Sequence, residues 1–536
     1  MTAEREYAPF RFVRRSLADP GSLAGDILAG GSPAALFRGV LGVHPMDAPS
    51  GRTARLGSDV FTTTSPSART KLETILAGGG HLVSTGQQPS LFLGPLYTLY
   101  KTASAIKLAT DLERSTGRPA LAMFWVAADD HDWREIAGCR ILAADESVSE
   151  FRVDPPAGHE ARSVGAAGLP DSIGGEIDRL AESLGVGAAG AERAGNLDPI
   201  RDAYRPGRTM SEAFTAAMVQ VFSSVDLALL DSSHPEVRRA ANGLYREAAR
   251  RPEDVIEAMA LGRAGVQGAG HRVHLNPPEA GLQVFHDAGT HRKHVLVAAD
   301  GFGVTGGEEW SGDSFLALLE REPGCFTPAA ALRPVLESWL LPVAATVLGP
   351  GELAYWAHLQ PLFTAFQVEM PTVAPRDSWL IIEARVDRLL DKLGVTPDIV
   401  DAGGDELRRR ILDGRRPGGV ADALADLGGQ VGIHLEALAE VGDTELPGLR
   451  AAVGKTRHAV ERALDDLRRL VDRRVAERES SSLKQARRLL ANLAPEGASQ
   501  ERALGVAGYL GRYGSQLVER LAATDSRYIA GPRGQD

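Results

Sequence analysis

The sequence predicts an α/β fold, with a parallel, doubly wound sheet followed by a region of helices. Short apolar segments alternate with segments of helical periodicity between residues 81 and 250. The segment 121–127 is nearly all apolar, as a strand buried on both faces should be. Beyond Trp379 the chain changes to helical patterns that contain many Arg and Asp residues.

The alternation defines the core elements in chain order. The predicted core strands are 81–85, 121–127, 226–230 and 340–348. The predicted helices are 97–112, 211–223 and 235–250. Strands that alternate with helices favour a parallel sheet, because parallel neighbours need a crossover connection.

The 536 residues exceed what one hydrophobic core usually holds, so several domains are expected. Residues 155–204 are rich in Gly and Ala, and residues 252–324 are rich in His and Gly with short strand signals, so both are interpreted as inserts. No chemistry is assigned to residues 1–78. The expected organisation is an N-terminal segment with the first part of the core (1–154), an insert (155–204), a core continuation (205–251), a second insert (252–324), a core completion (325–378) and a helical coiled-coil region (379–536).

A heptad pattern marks the C-terminal region. Its apolar positions are Leu449, Val453, Val460, Ala463, Leu467 and Leu470. These residues follow one another at intervals of three, four and seven, as in a coiled-coil seam. The pattern fits either a dimerising coiled coil or an amphipathic helix that packs on its own domain.

Composition excludes several classes of protein. The chain carries 59 Lys and Arg against 70 Asp and Glu, a net charge of −11, which disfavours a nucleic-acid partner. Its two cysteines show neither a disulfide framework nor a zinc-site spacing. We see no signal peptide, and the apolar stretch 339–348 is too short to span a membrane. A cytoplasmic protein with no membrane partner is expected.

The first candidate site runs from Ser84 to Lys101, where the first strand passes through a loop into a helix. A doubly wound sheet binds anions at such positions. Its candidate contacts are Thr85, Gly86, Gln87, Gln88, Gly94, Tyr97 and Lys101. The glycines would let the backbone approach a ligand, and Lys101 adds positive charge. The structural alternative is a turn in which Pro95 begins the helix and Tyr97 packs in the core.

The second candidate site is the run from Asp129 to Glu135, directly after the second strand. Its candidate residues are Asp129, Asp130, His131 and Asp132. Such groups bind an amine, orient Mg²⁺ or act as a general base. Asp132 and Glu135 also fit a capping box that starts the next helix, which leaves the other three without a structural role.

The third candidate site follows the last core strand. Its residues are Gly349, Gly351, Glu352 and Tyr355, with Arg333 upstream and Arg376 downstream. Pro350 and Glu352 are also ordinary first-turn residues of a helix. Each arginine suits a carboxylate or phosphate ligand, although an internal ion pair is an equally simple interpretation.

Taken in order, these segments resemble the BshC family, the cysteine-adding enzymes of bacillithiol biosynthesis. The matching segments are Thr85–Lys101, Phe124–Asp132, Leu332–Pro334, Gly349–Trp356, Gln500–Arg502 and Arg512–Gly514. The resemblance implies a Rossmann-type core, similar to class I aminoacyl-tRNA synthetases, with connecting-peptide inserts and a coiled coil that forms a homodimer. It places the loop 87–94 at the position of the synthetase HIGH motif, across a cleft from Asp129–Asp132.

The resemblance also implies a carbon–nitrogen ligase that joins the carboxyl of L-cysteine to the amine of glucosaminyl-malate. We expect ATP, with Mg²⁺, to activate the cysteine carboxylate as an adenylate while Lys101 stabilises developing charge. Asp130 or His131 would then accept the proton of the attacking amine. No zinc and no protein-held metal site are predicted.

The sequence departs from the pattern in three places. It has no strict HIGH motif and no KMSKS lysine loop, and Glu337 stands where an amide residue is expected. Two alternatives therefore stay open. One is a ligase of the nucleotidyltransferase superfamily that acts on a different acid and amine. The other is a non-catalytic ligand-binding scaffold of the pathway.

Overall fold

The structure is a computed structural model. It describes residues 8–43, 53–129, 132–156, 163–185, 195–287, 292–414, 418–446 and 448–524. Two compact units divide the chain. The sheet unit comprises Arg14–Leu380 and the chain from Glu501 onward, and the helical unit comprises the chain up to Val13 and Ile381–Gln500.

Fifteen strands lie within the described ranges. They are β1 (Phe10–Arg14), β2 (Phe61–Thr63), β3 (His81–Gln87), β4 (Ala120–Val126), β5 (Gly138–Leu142), β6 (Val148–Arg152), β7 (Leu227–Asp231), β8 (Gly281–Asp287), β9 (Arg292–Ala298), β10 (Gly301–Val304), β11 (Glu309–Ser311), β12 (Phe326–Pro328), β13 (Val343–Leu348), β14 (Thr372–Pro375) and β15 (Trp379–Glu383).

The α-helices of the sheet unit surround the strands. They are α1 (Leu23–Leu28), α2 (Pro66–Thr74), α3 (Leu96–Thr116), α4 (Trp133–Ile136), α5 (Ile173–Ser183), α6 (Asp198–Ala203), α7 (Met210–Val221), α8 (Pro235–Arg250), α9 (Pro252–Gly268), α10 (Gly312–Arg321), α11 (Leu332–Leu340), α12 (Pro350–Trp356) and α13 (Gln360–Ala365).

The remaining helices belong to the C-terminal part of the chain. They are α14 (Ala384–Leu393), α15 (Gly403–Asp413), α16 (Gly418–Glu445), α17 (Leu449–Arg478), α18 (Ser480–Leu493), α19 (Gln500–Ala503), α20 (Val506–Tyr513) and α21 (Gln516–Ala522). No helix within the described ranges is long and apolar enough to cross a bilayer.

The central sheet has six strands in the order β14–β13–β3–β4–β7–β2. Five of them are parallel, and β2 pairs antiparallel with β7 at one edge. The chain builds outward from β3 in both directions, so the sheet reverses its winding between β3 and β13. The predicted doubly wound sheet is confirmed. Ligands in such folds bind at the carboxyl ends of the strands beside this reversal.

Sequence explains the two strands that flank β3 in the sheet, β4 and β13. Every residue of β4 is buried, so its apolar run packs against helices on both faces. The helix α3 follows β3, and its end is set by Gly117, whose left-handed φ of 67° is easy only for glycine. The strand predicted over 340–348 is three residues shorter, because α11 continues through Leu340 before Pro342.

A second sheet, which we call the insert sheet, is antiparallel in the order β11–β10–β9–β8–β12. Strands β8 to β11 lie in the predicted second insert, and β12 lies just beyond its predicted end at residue 324. The register between β8 and β9 shifts between Gly281 and Phe285. Inside that irregularity Gln283 has a φ of 63°, which non-glycine residues rarely adopt.

In the helical unit, α16 and α17 pack along each other, while α14 and α15 pack against α18. The predicted seam lies on a single helix, α17, and only part of it is buried within the chain. The buried residues of α17 are Val453, which belongs to the seam, and Leu464 and Val475, which do not. Leu467 and Leu470 of the predicted seam are 41% and 42% exposed. The buried face of α17 therefore coincides with the seam at Val453 and departs from it at Leu467 and Leu470.

Candidate active site

A cleft of about 610 Å³ opens at the carboxyl ends of the parallel strands. Its size is in the range of small-molecule sites. The predicted site residues that line it are Gly86, Gln87, Gln88, Tyr97, Lys101, Asp129, Arg333, Gly349, Gly351, Glu352, Tyr355 and Arg376. The three sequence segments thus meet in one cleft because β3, β4 and β13 are neighbours in the sheet.

Lys101 lies on the second turn of α3 and is 1% exposed. Its ammonium group pairs with Glu352 at 2.7 Å and donates to Gln87 Oε1 at 3.3 Å and to the carbonyl of Gly86. Burial lowers the pKa of Lys101, and the contact with Glu352 opposes that shift. All three donors of the ammonium group therefore have acceptors within the protein.

Glu352 joins two of the predicted segments. Its carboxylate accepts a hydrogen bond from the Gly349 amide at 2.9 Å and pairs with Lys101. A side chain at Gly349 would lie 3.4 Å from the Arg376 guanidinium, whereas a side chain at Gly351 would meet open space. Gly349 is therefore closely confined, and Gly351 is not.

Arg333 and Glu337 form a buried polar network beneath the cleft. Arg333 donates to the Tyr355 hydroxyl at 2.8 Å and to Glu337 at 3.5 Å, and the Ser84 hydroxyl donates to Glu337. Glu337 is 3% exposed. Burial raises the pKa of Glu337, and Arg333 and the Ser84 hydrogen bond oppose that shift.

Replacing Glu337 with Gln is expected to stabilise the protein at alkaline pH. A carboxyl whose folded pKa is raised stabilises the fold below its ordinary value, and that stabilisation is lost as pH rises through the folded pKa. The amide does not ionise, so the melting temperature of E337Q should rise relative to that of the parent as the pH increases from 5 to 8. Thermal unfolding across this range measures it.

The control for this experiment is E320Q, which alters an exposed carboxylate and should show little such trend. If E337Q is instead less stable than the parent at pH 8, the ionised carboxylate stabilises the network through Arg333.

Arg376 directly follows β14 and is 2% exposed. Its guanidinium pairs with Glu501 through two bonds of 2.6 and 2.8 Å, and it also donates to the carbonyl of Asp377 at 2.9 Å. The Ser378 hydroxyl donates to the same glutamate at 2.9 Å. Arg376 lines the cleft, but its two terminal nitrogens are already engaged by these acceptors.

The acidic segment after β4 is only partly described. Asp129 lines the cleft and pairs with Arg238 at 3.0 Å. The predicted catalytic residues Asp130 and His131 lie outside the described residues. Asp132 caps α4 by accepting from the Glu135 amide at 3.2 Å, which agrees with its structural interpretation. The Glu135 side chain lines the cleft.

Two other predicted residues have structural roles and do not appear in the cleft lining. The Thr85 hydroxyl donates to the Val347 carbonyl at 3.0 Å. Gly94 has a φ of 67°, and a side chain there would lie 2.9 Å from Ser90 Cβ.

Gly86 lines the cleft, but a side chain there would lie 2.7 Å from the Trp125 carbonyl. The contact between strands is therefore sufficient to require glycine at position 86.

Tyr97 and Gln87 form the rim beside Lys101. The Gln87 amide donates to the Tyr97 hydroxyl at 3.4 Å. Burial, reinforced by Glu135, raises the pKa of Tyr97 to about 12, so the phenol stays protonated at neutral pH. Gln88 is 9% exposed and also lines the cleft.

Sequence reasoning missed part of the lining. The residues not predicted include Trp125, Glu135, Ser232, Asn276, Gln283, Phe285, Arg292, His294 and Arg502. Ser232 follows β7, so its position after a predicted strand was an available signal. Arg502 is exposed and has no hydrogen bond or ion pair with the part of the chain that the structure describes. In the sequence, only the resemblance of Gln500–Arg502 to the BshC family distinguished that segment.

Within the described ranges, no group of three or more His, Cys, Asp or Glu residues is arranged to hold a metal ion. The carboxylates that line the cleft are Asp129, Glu135 and Glu352. Mg²⁺ commonly binds to one or two protein carboxylates together with substrate phosphates. Glu135 is exposed at the cleft, so its carboxylate fits that manner of binding.

Comparison with known families assigns both parts of the chain. Residues 58–377 match the model described as "Bacillithiol biosynthesis BshC, N-terminal Rossmann-like domain". Residues 379–528 match "Bacillithiol biosynthesis BshC, C-terminal coiled-coil domain". This chain belongs to the BshC family. The predicted Rossmann-type core followed by a coiled coil is confirmed, and the chain is a carbon–nitrogen-bond-forming ligase of that family.

Three BshC relatives show how far the similarity extends. Each carries the name "Putative cysteine ligase BshC". The protein of Salinibacter ruber is 30% identical, over 84% of this chain and 82% of its own length. The protein of Symbiobacterium thermophilum is 31% identical, over 82% and 80%. The protein of Koribacter versatilis is 30% identical, over 85% and 84%.

Proposed function

We propose that this protein joins the carboxyl group of L-cysteine to the amine of glucosaminyl-malate through an amide bond. One structural observation supports the proposal in addition to the family assignment. Three of the segments on which the BshC resemblance rests contribute Gln87, Asp129 and Glu352 to the same cleft, at the winding reversal of the sheet. Cys139 and Cys325 are free thiols, which suits the cytoplasmic location that we also propose.

ATP and Mg²⁺ are part of the proposal. ATP would supply the leaving group that turns the cysteine carboxylate into an acylating agent, with Mg²⁺ held partly by Glu135. Lys101, Arg333 and Arg376 already pair with carboxylates of the protein. The guanidinium of Arg502, exposed at the cleft, is therefore the cation most accessible to an incoming anion. An anion near Lys101 would have to compete with Glu352.

The attacking amine must lose a proton. Asp130 or His131 remains our proposed acceptor, since both directly follow Asp129, which lines the cleft. Arg238 holds the Asp129 carboxylate at 3.0 Å and balances its charge. In this proposal Asp129 positions the segment, and one of the next two residues accepts the proton.

The test is reconstitution with the purified full-length protein. Cysteine and glucosaminyl-malate are incubated with and without ATP and Mg²⁺, and labelled thiols are identified by mass spectrometry. We expect the cysteine amide only with nucleotide present, together with either AMP or ADP, which identifies the phosphate attacked. Pyrophosphate release with a different acid and amine would instead support another ligase activity. Binding of glucosaminyl-malate without turnover under any activating condition would support a scaffold.

We also propose that the protein is a homodimer through its coiled coil. Both long helices leave large apolar side chains exposed within the chain. These are Val420, Leu427, Ile433, Leu438 and Val441 on α16, and Leu467 and Leu470 on α17. Such a surface suits a second copy, because a heptad seam buries its side chains against a partner helix.

The paired substitution of Leu467 and Leu470 by Glu is expected to convert the dimer to a monomer. Two carboxylates in an apolar interface lose hydration without gaining partners. Light scattering on the purified protein measures the mass, which should fall by half. The matched control is Arg468→Glu with Arg469→Glu, on exposed positions of the same turn, and it should stay dimeric. A parent protein that is already a monomer at micromolar concentration would contradict the proposal.

A further inference from the structure

One wall of the cleft comes from the insert sheet and contains none of the three motif segments. We call it the insert wall, and it consists of Gln283 and Phe285 on β8 with Arg292 and His294 on β9. Ala329, Ala330 and Ala331 also line the cleft, and their small side chains leave room for a ligand.

Gln283 combines two unfavourable features. It adopts a left-handed φ of 63° inside a strand, and such conformations persist mainly where function requires them. It is 1% exposed, and its Oε1 has no hydrogen-bond partner among the described residues. Its side-chain Nε2 donates to the Gly281 carbonyl at 3.1 Å, and its backbone carbonyl accepts from the Ala329 amide at 2.9 Å. The residue is therefore firmly placed while one acceptor stays unused.

His294 presents a second unused group. Its Nδ1 is buried and has no partner within the described ranges. Its ring lies 4.0 Å from the Phe285 ring, and the Arg292 guanidinium lies 3.7 Å from the same ring. Burial, reinforced by Arg292, lowers the pKa of His294, so the imidazole is neutral at pH 7. Arg292 also donates to the Thr327 hydroxyl at 3.1 Å, which fixes the stack.

The chemistry of these groups selects a ligand class. An amide oxygen without a donor and a neutral imidazole suit groups that donate hydrogen bonds, such as hydroxyls. A carboxylate placed against the amide oxygen would bring two acceptors together without a proton between them. Ring faces beside unpaired polar groups are also a common setting for small polar ligands.

We propose that the insert wall binds the hydroxyl-bearing sugar ring of the amine substrate, with Gln283 Oε1 accepting a hydrogen bond from one hydroxyl and His294 Nδ1 hydrogen-bonded to another. This assignment rests on the proposed function and adds residues that recognise the sugar. Gln283 and His294 thereby become specificity-determining residues, separate from the groups around Lys101.

The test measures binding to the full-length protein by calorimetry, with glucosaminyl-malate, D-glucosamine and L-malate as probes. Q283G removes the amide and suits the left-handed backbone. It should raise the Kd for glucosaminyl-malate about tenfold, the loss of roughly one hydrogen bond, without lowering the melting temperature. H294L should weaken the same binding by a similar factor. K293Q, which alters a neighbour that donates to the Thr305 carbonyl, should leave the Kd unchanged.

The outcomes separate the two levels of the proposal. If the parent binds glucosaminyl-malate and both variants bind it equally well, the insert wall does not read the sugar and the proposed function stands. If Q283G weakens L-malate but not D-glucosamine, the wall binds the acid part and the sugar assignment is overturned. If the parent binds glucosaminyl-malate under no condition, the proposed function falls and this assignment falls with it.

Discussion

Replacing Lys101 with Met is expected to reduce the rate of amide formation by at least about a hundredfold and to lower thermal stability. A fixed charge at a site where negative charge develops contributes on this scale. The stability loss has a separate cause, since Met leaves Glu352 without its 2.7 Å partner while the Gly349 amide still donates to it. Single-turnover kinetics and thermal unfolding measure the two effects independently.

The double variant K101M/E352Q distinguishes the two roles of Lys101. Removing both charges leaves no unpaired carboxylate, so most of the lost stability should return. Activity should not return, because the cation is still missing. If the double variant recovers activity as well, Lys101 serves only to neutralise Glu352, and the assignment of a catalytic role to it is wrong.

Replacing Arg376 with Gln is expected to destabilise the protein by about 3–5 kcal/mol, the scale for removing one partner of a buried ion pair. Arg376 is 2% exposed and makes two charge-assisted bonds to Glu501, whose side chain is 10% exposed. The remaining carboxylate would keep only its hydrogen bond from Ser378 among the contacts described above. Urea unfolding followed by tryptophan fluorescence measures the change.

The matched control for R376Q is R239Q, which removes an exposed pair with Glu236 and should cost under about 1 kcal/mol. A change of under about 1 kcal/mol for R376Q as well would contradict the prediction, because the buried pair with Glu501 would then contribute no more than an exposed pair.

The sequence identified several charged groups of the cleft, among them Lys101, Arg333 and Arg376, but not which of them are already paired. The sequence predicted that Lys101, Arg333 and Arg376 would each bind an anion. The partners of Lys101 and Arg376 lie far away in the chain: Arg376, for example, pairs with Glu501, 125 residues later. A pairing of that kind depends on which strands are neighbours, and no local pattern records it.

The predictions for the glycines were limited in the same way, because they too depended on contacts between segments. Gly86 and Gly94 were predicted to admit a ligand, yet neighbouring protein atoms are sufficient to explain both. Gln283 gave no signal in the sequence, because its importance lies in a backbone angle and an unused acceptor. The unusual backbone angle lies within the register shift between β8 and β9, which depends on how two strands pair.

By itself the sequence determined the order of strands and helices, the doubly wound class of the sheet and the family, because periodicity, apolar runs and ordered motifs are local properties of the chain. The tertiary structure alone decided that the three motif segments share a cleft with the insert wall, and which face of α17 packs on α16. Those outcomes depend on contacts between distant residues, where burial, pairing and register are settled together.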